Sequence, residues 1–307
     1  MLSGVYGYTN GFLTDLNNTE QRISQDTQAL SSGVRVNVAS DDPWAVTSLL
    51  DDQNQTEQLS QLQTNLNGQQ AIAQTADAAL QTASGLMNQL ISIATSGATD
   101  TATAASRTAL GEQVQLIQQQ LVAIANTSSQ GAYIFGGDAN SVQPYTYDWT
   151  TAPGAVSSGT PTNTTSIQGM DGSSIVPGLT AQEIFDVQLP NGGGPAAGNV
   201  FQAVYQLGTA LLNNDGSGVQ SAVSSIQTAA SYLSECASVY GNTENWISQQ
   251  ITSAQNRSTT LTNEISTLRD TDVAAMATDL SQNQVALQAA LAAQGSLPTK
   301  SLFSYFG

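Results

Sequence analysis

From Leu59 onward an apolar or small residue recurs at alternating steps of three and four: Leu59, Leu62, Leu66, Ala73, Ala76, Leu80, Ala83, Met87, Leu90 and Ala94, with Gln69 alone out of pattern. A mean step of 3.5 keeps one stripe of an α-helix turned toward a partner, so the spacing predicts a long helix in a coiled-coil-like bundle. Gly97 ends it. A second seam at Leu110, Val114, Ile117, Leu121 and Ile124 predicts an antiparallel return across a short polar turn, an αα-hairpin.

Helix resumes near Phe201 with Val204, Gly208 and Leu211, and a further run extends from Val219 through Ile226, Leu233, Tyr240, Ile247, Ala254 and Leu261 to Leu268, interrupted at Glu244 and Ser258. At 1.5 Å per residue these roughly 50 residues make a rod of ~75 Å, far longer than an ordinary globular helix. After Leu268 the seam restarts at Val273, Met276, Leu280, Leu287 and Leu291 with a step of five, a phase slip that predicts a hinge or boundary near Asp270. A weaker seam at Leu13, Leu16, Ile23 and Leu30 opens the chain, so both ends are amphipathic helices and are expected to pair.

Between these helical stretches lie six of the eight prolines, from Pro144 to Pro195, among Gly, Thr and aromatic residues. Helix does not persist through such a stretch. Ala132 to Phe135, Tyr145 to Trp149 and Ser174 to Val176 are short runs bounded by Gly or Pro and predict small β-strands. The expected fold class is mainly α, an elongated rod of long coiled-coil-like helices with paired termini and a small β-rich insertion. Its layers are 1–40 with 272–307, 41–130 with 200–271, and 131–199.

Composition narrows the chemistry. Charged residues are only 9% of the chain, and about two fifths of it is Gln, Asn, Ser and Thr. Six basic against 23 acidic residues give a net charge of -17, so no basic stripe exists to recognise nucleic acid or anionic lipid. With no His and one Cys, zinc sites and Ser-His-Asp catalysis are excluded. Cys236 sits beside an apolar seam and is read as a buried, inert thiol. Met1 to Asn18 lacks the basic start and apolar run of a cleaved leader, and no apolar run is long enough to span a membrane. The chain is thus expected to be cytosolic or exported without a cleaved signal.

An enzyme would need converging groups in the insertion, where Asp148, Asp171, Glu183 and Asp186 are the available carboxylates, but no spacing singles out a pair. Tyr145, Tyr147 and Trp149 alternate on one strand face, a pattern of core packing more often than of carbohydrate stacking. A sensory or scaffold coiled coil would flank its seams with charge, whereas here the flanks are Gln, Asn and Ser, which suit packing against many identical neighbours.

One stretch is more specific than periodicity: Leu30-Ser-Ser-Gly33-Val-Arg35-Val-Asn37-Val-Ala-Ser-Asp41-Asp42-Pro43. Locally it is a joint between helices, with Gly33 fit to end the first and Asp42 then Pro43 fit for the N-cap and first turn of the next. Arg35 is placed to bridge Asp41 or Asp42. The segment resembles the amino-terminal signature of bacterial flagellins and flagellar hook-associated proteins. Leu280 to Leu291 and Ser301-Leu-Phe-Ser-Tyr-Phe resemble that superfamily's last helix and apolar tail.

Gly131-Ala-Tyr133-Ile-Phe135-Gly-Gly137, followed by Pro144-Tyr145, Val176-Pro-Gly178 and Glu183-Ile-Phe185, is similar to the second hook–filament junction proteins, the hook-associated protein 3 family. Flagellin, the main filament subunit, is the alternative. The ending Phe306-Gly307 departs from the pattern.

The resemblance implies a non-enzymatic structural protein of the extracellular flagellum, exported through the flagellar type III apparatus with an export chaperone and needing no cofactor. The partners it implies are further copies of the chain, the first hook–filament junction protein and flagellin, with no nucleic acid and no membrane insertion. The assembly residues expected on this basis are Leu30, Gly33, Arg35, Asn37, Asp41, Asp42, Pro43, Leu287, Leu291, Leu302, Phe303, Tyr305 and Phe306.

Overall fold

The computed structural model describes residues 2–162, 165–190 and 193–295, with side chains from Asn10 onward. Among the described residues seven α-helices carry the fold: α1 (Leu2–Ser32), α2 (Pro43–Gly97), α3 (Ala104–Ala125), α4 (Ala181–Phe185), α5 (Val200–Leu212), α6 (Gly216–Arg269) and α7 (Val273–Gly295). The chain forms two compact units, a terminal one from Met1–Ser60 with Asn256–Gly307 and a central one from Gln61–Gln255. The two longest helices, α2 and α6, contribute residues to both.

In the central unit the 3.5-residue seam of α2 is buried from Ala73 to Ala94, and it meets Val114 and Leu121 of α3, Phe201 to Leu211 of α5 and Val219 to Tyr240 of α6 in one apolar cluster. Each large side chain so removed from water contributes about 1.5–3 kcal/mol. The closest backbone neighbour of α3 is α5, although α2 and α3 share the apolar interior. Two glycines explain this. A Cβ on Gly111 of α3 would lie 2.8 Å from Leu212, and one on Gly208 of α5 would lie 3.1 Å from Val114 and 2.5 Å from the Trp149 ring.

Six short strands form three antiparallel two-stranded hairpins: β1 (Ser128–Ser129) with β2 (Ala132–Tyr133), β3 (Tyr145–Tyr147) with β4 (Ala155–Ser157), and β5 (Ile167–Gln168) with β6 (Ser174–Ile175). Strands this short need helices to stand on. Aromatic side chains supply that anchorage for the first two: Phe135 meets Phe185 and Tyr240 edge-on at 6.1 Å, Phe185 stacks on Phe201 at 5.6 Å, and Tyr145 meets Phe201 at 5.0 Å, while Ile167 of β5 packs with Leu66 and Ile247. Tyr145 is buried, and Tyr147 and Trp149 pack partly against the same cluster, so this alternating face is core.

In the terminal unit α1 and α7 lie against each other. The less exposed positions of α1 are Phe12, Leu16, Thr19, Ile23, Asp26, Ala29 and Leu30, and those of α7 are Met276, Leu280, Asn283, Leu287 and Ala290. Leu13, Val273 and Leu291, expected on the seams, are 53%, 57% and 51% exposed. On α1 the helical period brings Phe12 inward in place of Leu13. Among its described residues α7 has none that is fully buried, and the unit's small apolar cluster is Val36, Ala45 and Leu49 with Val46, Ile265 and Leu268 beside them. No helix among the described residues is long and apolar enough to cross a membrane.

Candidate assembly site

The signature segment lies between α1 and α2, and its chemistry is that of a helix end followed by a helix start. Gly33 adopts φ +71 and donates its N–H to the Ala29 carbonyl at 2.9 Å, the left-handed stop for which a residue without Cβ is suited. Asp42 accepts the Ala45 N–H at 3.1 Å and Pro43 opens α2, filling the N-cap and first position. Between them Asp41 folds the loop on itself by accepting the N–H groups of Asn37 and Val38, both at 3.0 Å, while the Asn37 amide donates to the Val34 carbonyl.

This joint is stitched to a second one. α6 ends at Arg269 and α7 begins at Val273, with the Asp272 carboxylate accepting from the Ala274 and Ala275 N–H groups as its N-cap. The helix boundary falls where the phase slip stands. Val34 and Asp270 form an antiparallel β-bridge, the Arg35 N–H donates to the Arg269 carbonyl at 2.7 Å, and the Thr271 N–H donates to Gly33 at 3.0 Å.

The Arg35 guanidinium closes the arrangement by donating to the Asp42 carboxylate at 3.2 Å and to the Leu268 carbonyl at 2.8 Å, so one side chain serves the start of α2 and the end of α6. Its positive charge suits the carboxyl end of a helix. Of the two carboxylates open to it on sequence grounds, Arg35 takes Asp42.

Electrostatics follow the hydrogen bonds. The Ala45 N–H, then the Arg35 side chain, hold the Asp42 carboxyl below its ordinary value. Asp270 is lowered by the Ser266 hydroxyl, then by Arg269.

The structure therefore brings Gly33, Arg35, Asn37, Asp41, Asp42 and Pro43 together in one joint and places Leu30 at the last turn of α1. Leu287 is half-buried on the α7 seam, and Leu291 is exposed on the same helix. Leu302, Phe303, Tyr305 and Phe306 lie outside the described residues. Sequence reasoning missed Arg269, Asp270 and Asp272 as joint residues, because a seam break locates a hinge without saying what holds it. It also passed over Asp26 and Asn283, whose signal was a seven-residue step in each seam with a polar residue midway.

The candidate carboxylates of the insertion are engaged locally. Asp148 accepts from Thr150 and Thr151, Asp171 from Ser173, and Glu183 forms a capping box with Thr180 at the start of α4. Asp186 is buried and raised by desolvation, with Tyr145, Gln188 and Asn199 donating to it. Cys236 is buried, and desolvation pushes its thiol up to about 11.

The hairpin residues also have structural roles. Gln130 and Gly131 turn β1 into β2 at φ 53 and 86, and Gly137 approaches the Thr162 carbonyl so closely that a Cβ would lie 2.6 Å away. Gly178 leaves room for the Tyr240 ring, whose hydroxyl donates to the Leu179 carbonyl and accepts its N–H.

Residues 6–140 match the N-terminal helical region of bacterial flagellin, and residues 223–306 match the C-terminal helical region. The chain belongs to the bacterial flagellin family. A flagellin of Clostridium tyrobutyricum is 28% identical over 119 residues, 39% of this chain and 32% of that protein, so the match spans about a third of the relative's length.

Among solved structures, a chain described as a flagellar hook-associated protein of Vibrio parahaemolyticus superposes with a TM-score of 0.64 at 17% identity, covering 74% of this chain and 99% of that one. FlgL of Bacillus cereus gives 0.56 at 18% identity, over 70% and 99%. These two share the fold. As a flagellin-family member the chain is a non-enzymatic axial component of the extracellular flagellum.

Proposed function

We propose that this flagellin-family chain is a hook–filament junction adaptor, which self-assembles and joins the hook side of the flagellum to the filament. The observation that carries the reading is the Gly131 to Gly137 segment, which sets Phe135 between Phe185 and Tyr240 and so anchors the first hairpin to the helices. That segment resembles the hook-associated protein 3 family, and the two solved structures of the same fold are a hook-associated protein and FlgL. On this reading the partners are further copies of the chain, the first junction protein and flagellin. Delivery is by the type III export apparatus with a chaperone.

The stitched joints, the terminal helices and the tail residues Leu302, Phe303, Tyr305 and Phe306 together are the assembly layer on this reading. An adaptor needs its terminal helices held together at a fixed joint, and Arg35 with its partners does that. The relative from Clostridium tyrobutyricum favours a second reading, in which the chain is a filament subunit.

Deletion of the gene separates the two. A junction adaptor leaves hooks intact and flagellin secreted without attached filaments, as seen by electron microscopy and by blotting the medium. Loss of filament protein itself from both flagella and medium would identify the filament subunit instead.

A further inference from the structure

Along α1 and α7 the inward positions follow steps of three and four, and besides Thr19, whose hydroxyl donates to the Asp15 carbonyl of its own helix, one of them on each helix is polar: Asp26 lies between Ile23 and Ala29, and Asn283 between Leu280 and Leu287. The two meet. The Asn283 amide donates to the Asp26 carboxylate at 2.8 Å in a partly buried contact. A cavity of about 200 Å³, lined also by Arg35, Asn37, Asp41 and Met276, opens beside Asp26 and gives this carboxylate polar surroundings. An ionised carboxylate only accepts hydrogen bonds, so the amide is a suitable partner and an aliphatic side chain is not.

We propose that the Asp26–Asn283 pair determines which helices coil together in the terminal unit, selecting α1 with α7 of the same chain and rejecting pairs of like helices. The joint pins only the near ends, through Gly33, Arg35 and Thr271. Beyond it the choice of partner rests on the seams, and apolar seams alone discriminate poorly in an assembly that presents the same helices on every subunit. Pairing α1 with another copy's α1 sets Asp26 in a seam without its amide donor and brings like charges near each other. Pairing α7 with α7 leaves Asn283 without its carboxylate. A single polar position in an otherwise apolar seam is known to specify partner and register at some cost in stability, and the rejected pairings here are an instance of specificity by mismatch.

The test uses the full chain with cysteines at Thr19 and Ala290, each seven residues from the polar pair along its seam, away from the joint. Cys236 stays in place because it is buried. Under mild oxidation the Thr19→Cys/Ala290→Cys chain should form its disulfide almost wholly within one chain. Adding Asp26→Leu and Asn283→Leu should raise interchain dimers about fivefold or more, because the fully apolar seams accept either partner. The exchanged pair, Asp26→Asn with Asn283→Asp, should return the intrachain product.

An unchanged intrachain share in the leucine variant, or an exchanged pair that dimerises as the leucine variant does, would overturn the proposal. Should the leucine variant not fold, alanine substitutions decide. Asp26→Ala and Asn283→Ala should each speed amide exchange of α7 about tenfold and the double variant no further, whereas independent, multiplying effects would refute the pairing.

Discussion

The two compact units are built from the same kind of helix and held by different interactions. In the central unit the seams close on themselves: Leu80, Met87, Leu90, Leu121, Phe201, Leu207 and Leu211 are all fully buried, and the aromatic cluster ties the hairpins to them. In the terminal unit α7 has no fully buried residue among those described, while Trp44 is 89% exposed and Val285 63%. Backbone stitching at the two joints and the Asp26–Asn283 contact supplement one small apolar cluster around Val36, Ala45 and Leu49. The central unit buries its own seams, and the terminal unit keeps exposed apolar surface, which on the proposed reading neighbouring subunits cover.

The contrast breaks first where the core is deepest. Phe201→Ala removes a ring that stacks on Phe185 and meets Tyr145, and it should cost the central unit about 3–5 kcal/mol in a denaturant titration. Trp44→Ala, at an exposed position, should stay within about 0.5 kcal/mol in the free chain. A comparable loss for both would erase the distinction.

A smaller effect is expected at the joint. Arg35→Ala deletes the bonds to Asp42 and Leu268 and should cost about 1 kcal/mol, a figure kept low because the side chain is 44% exposed. Its signature is faster proteolysis near 33–43 and 268–276 with the central unit unchanged. Arg35→Lys should restore little, since an ammonium lacks the planar fork that serves two acceptors at once.

The smallest effect is the pH response, which has opposite signs at the joint and at Asp186. Asp42 and Asp270 are lowered in the folded chain, so their contribution is fully present above the ordinary carboxylate value near 3.8 and is lost as pH falls through the lowered ones. Asp186 is raised, so its contribution is present at low pH and is lost as pH rises through the raised value. Amide exchange corrected for its intrinsic pH dependence should show the joint losing protection below about pH 4, while peptides around Asp186 gain protection on acidification from neutral pH. An Asp186→Asn variant should flatten the second trend and leave the first.

Much of this architecture is legible in the sequence because a 3.5-residue seam leaves a continuous trace. Gly97 and Pro43 mark the ends of α2, and the step of five after Leu268 marks the break before α7. Gly33, Asp42 and Pro43 are legible for the same reason, since capping is chemistry between near neighbours. The stitching of Arg35 to Leu268 and of Val34 to Asp270 is not, because it joins residues more than 230 positions apart through backbone groups that every residue carries. Asp26 and Asn283 leave no such trace, because a polar residue in an apolar seam looks like an interruption rather than a contact. The approach of α3 to α5 rests on Gly111 and Gly208, which in a sequence look like weak points of a helix rather than contact surfaces.

Hydrogen exchange of the full chain, compared between free protein and purified flagella, tests the difference between the units most directly. In the free protein α1 and α7 should exchange orders of magnitude faster than α3, α5 and the central part of α6, and in flagella they should slow to match them, while the central unit stays protected in both. Equal protection of terminal and central helices in the free chain, or terminal helices that exchange as fast in flagella as alone, would contradict it.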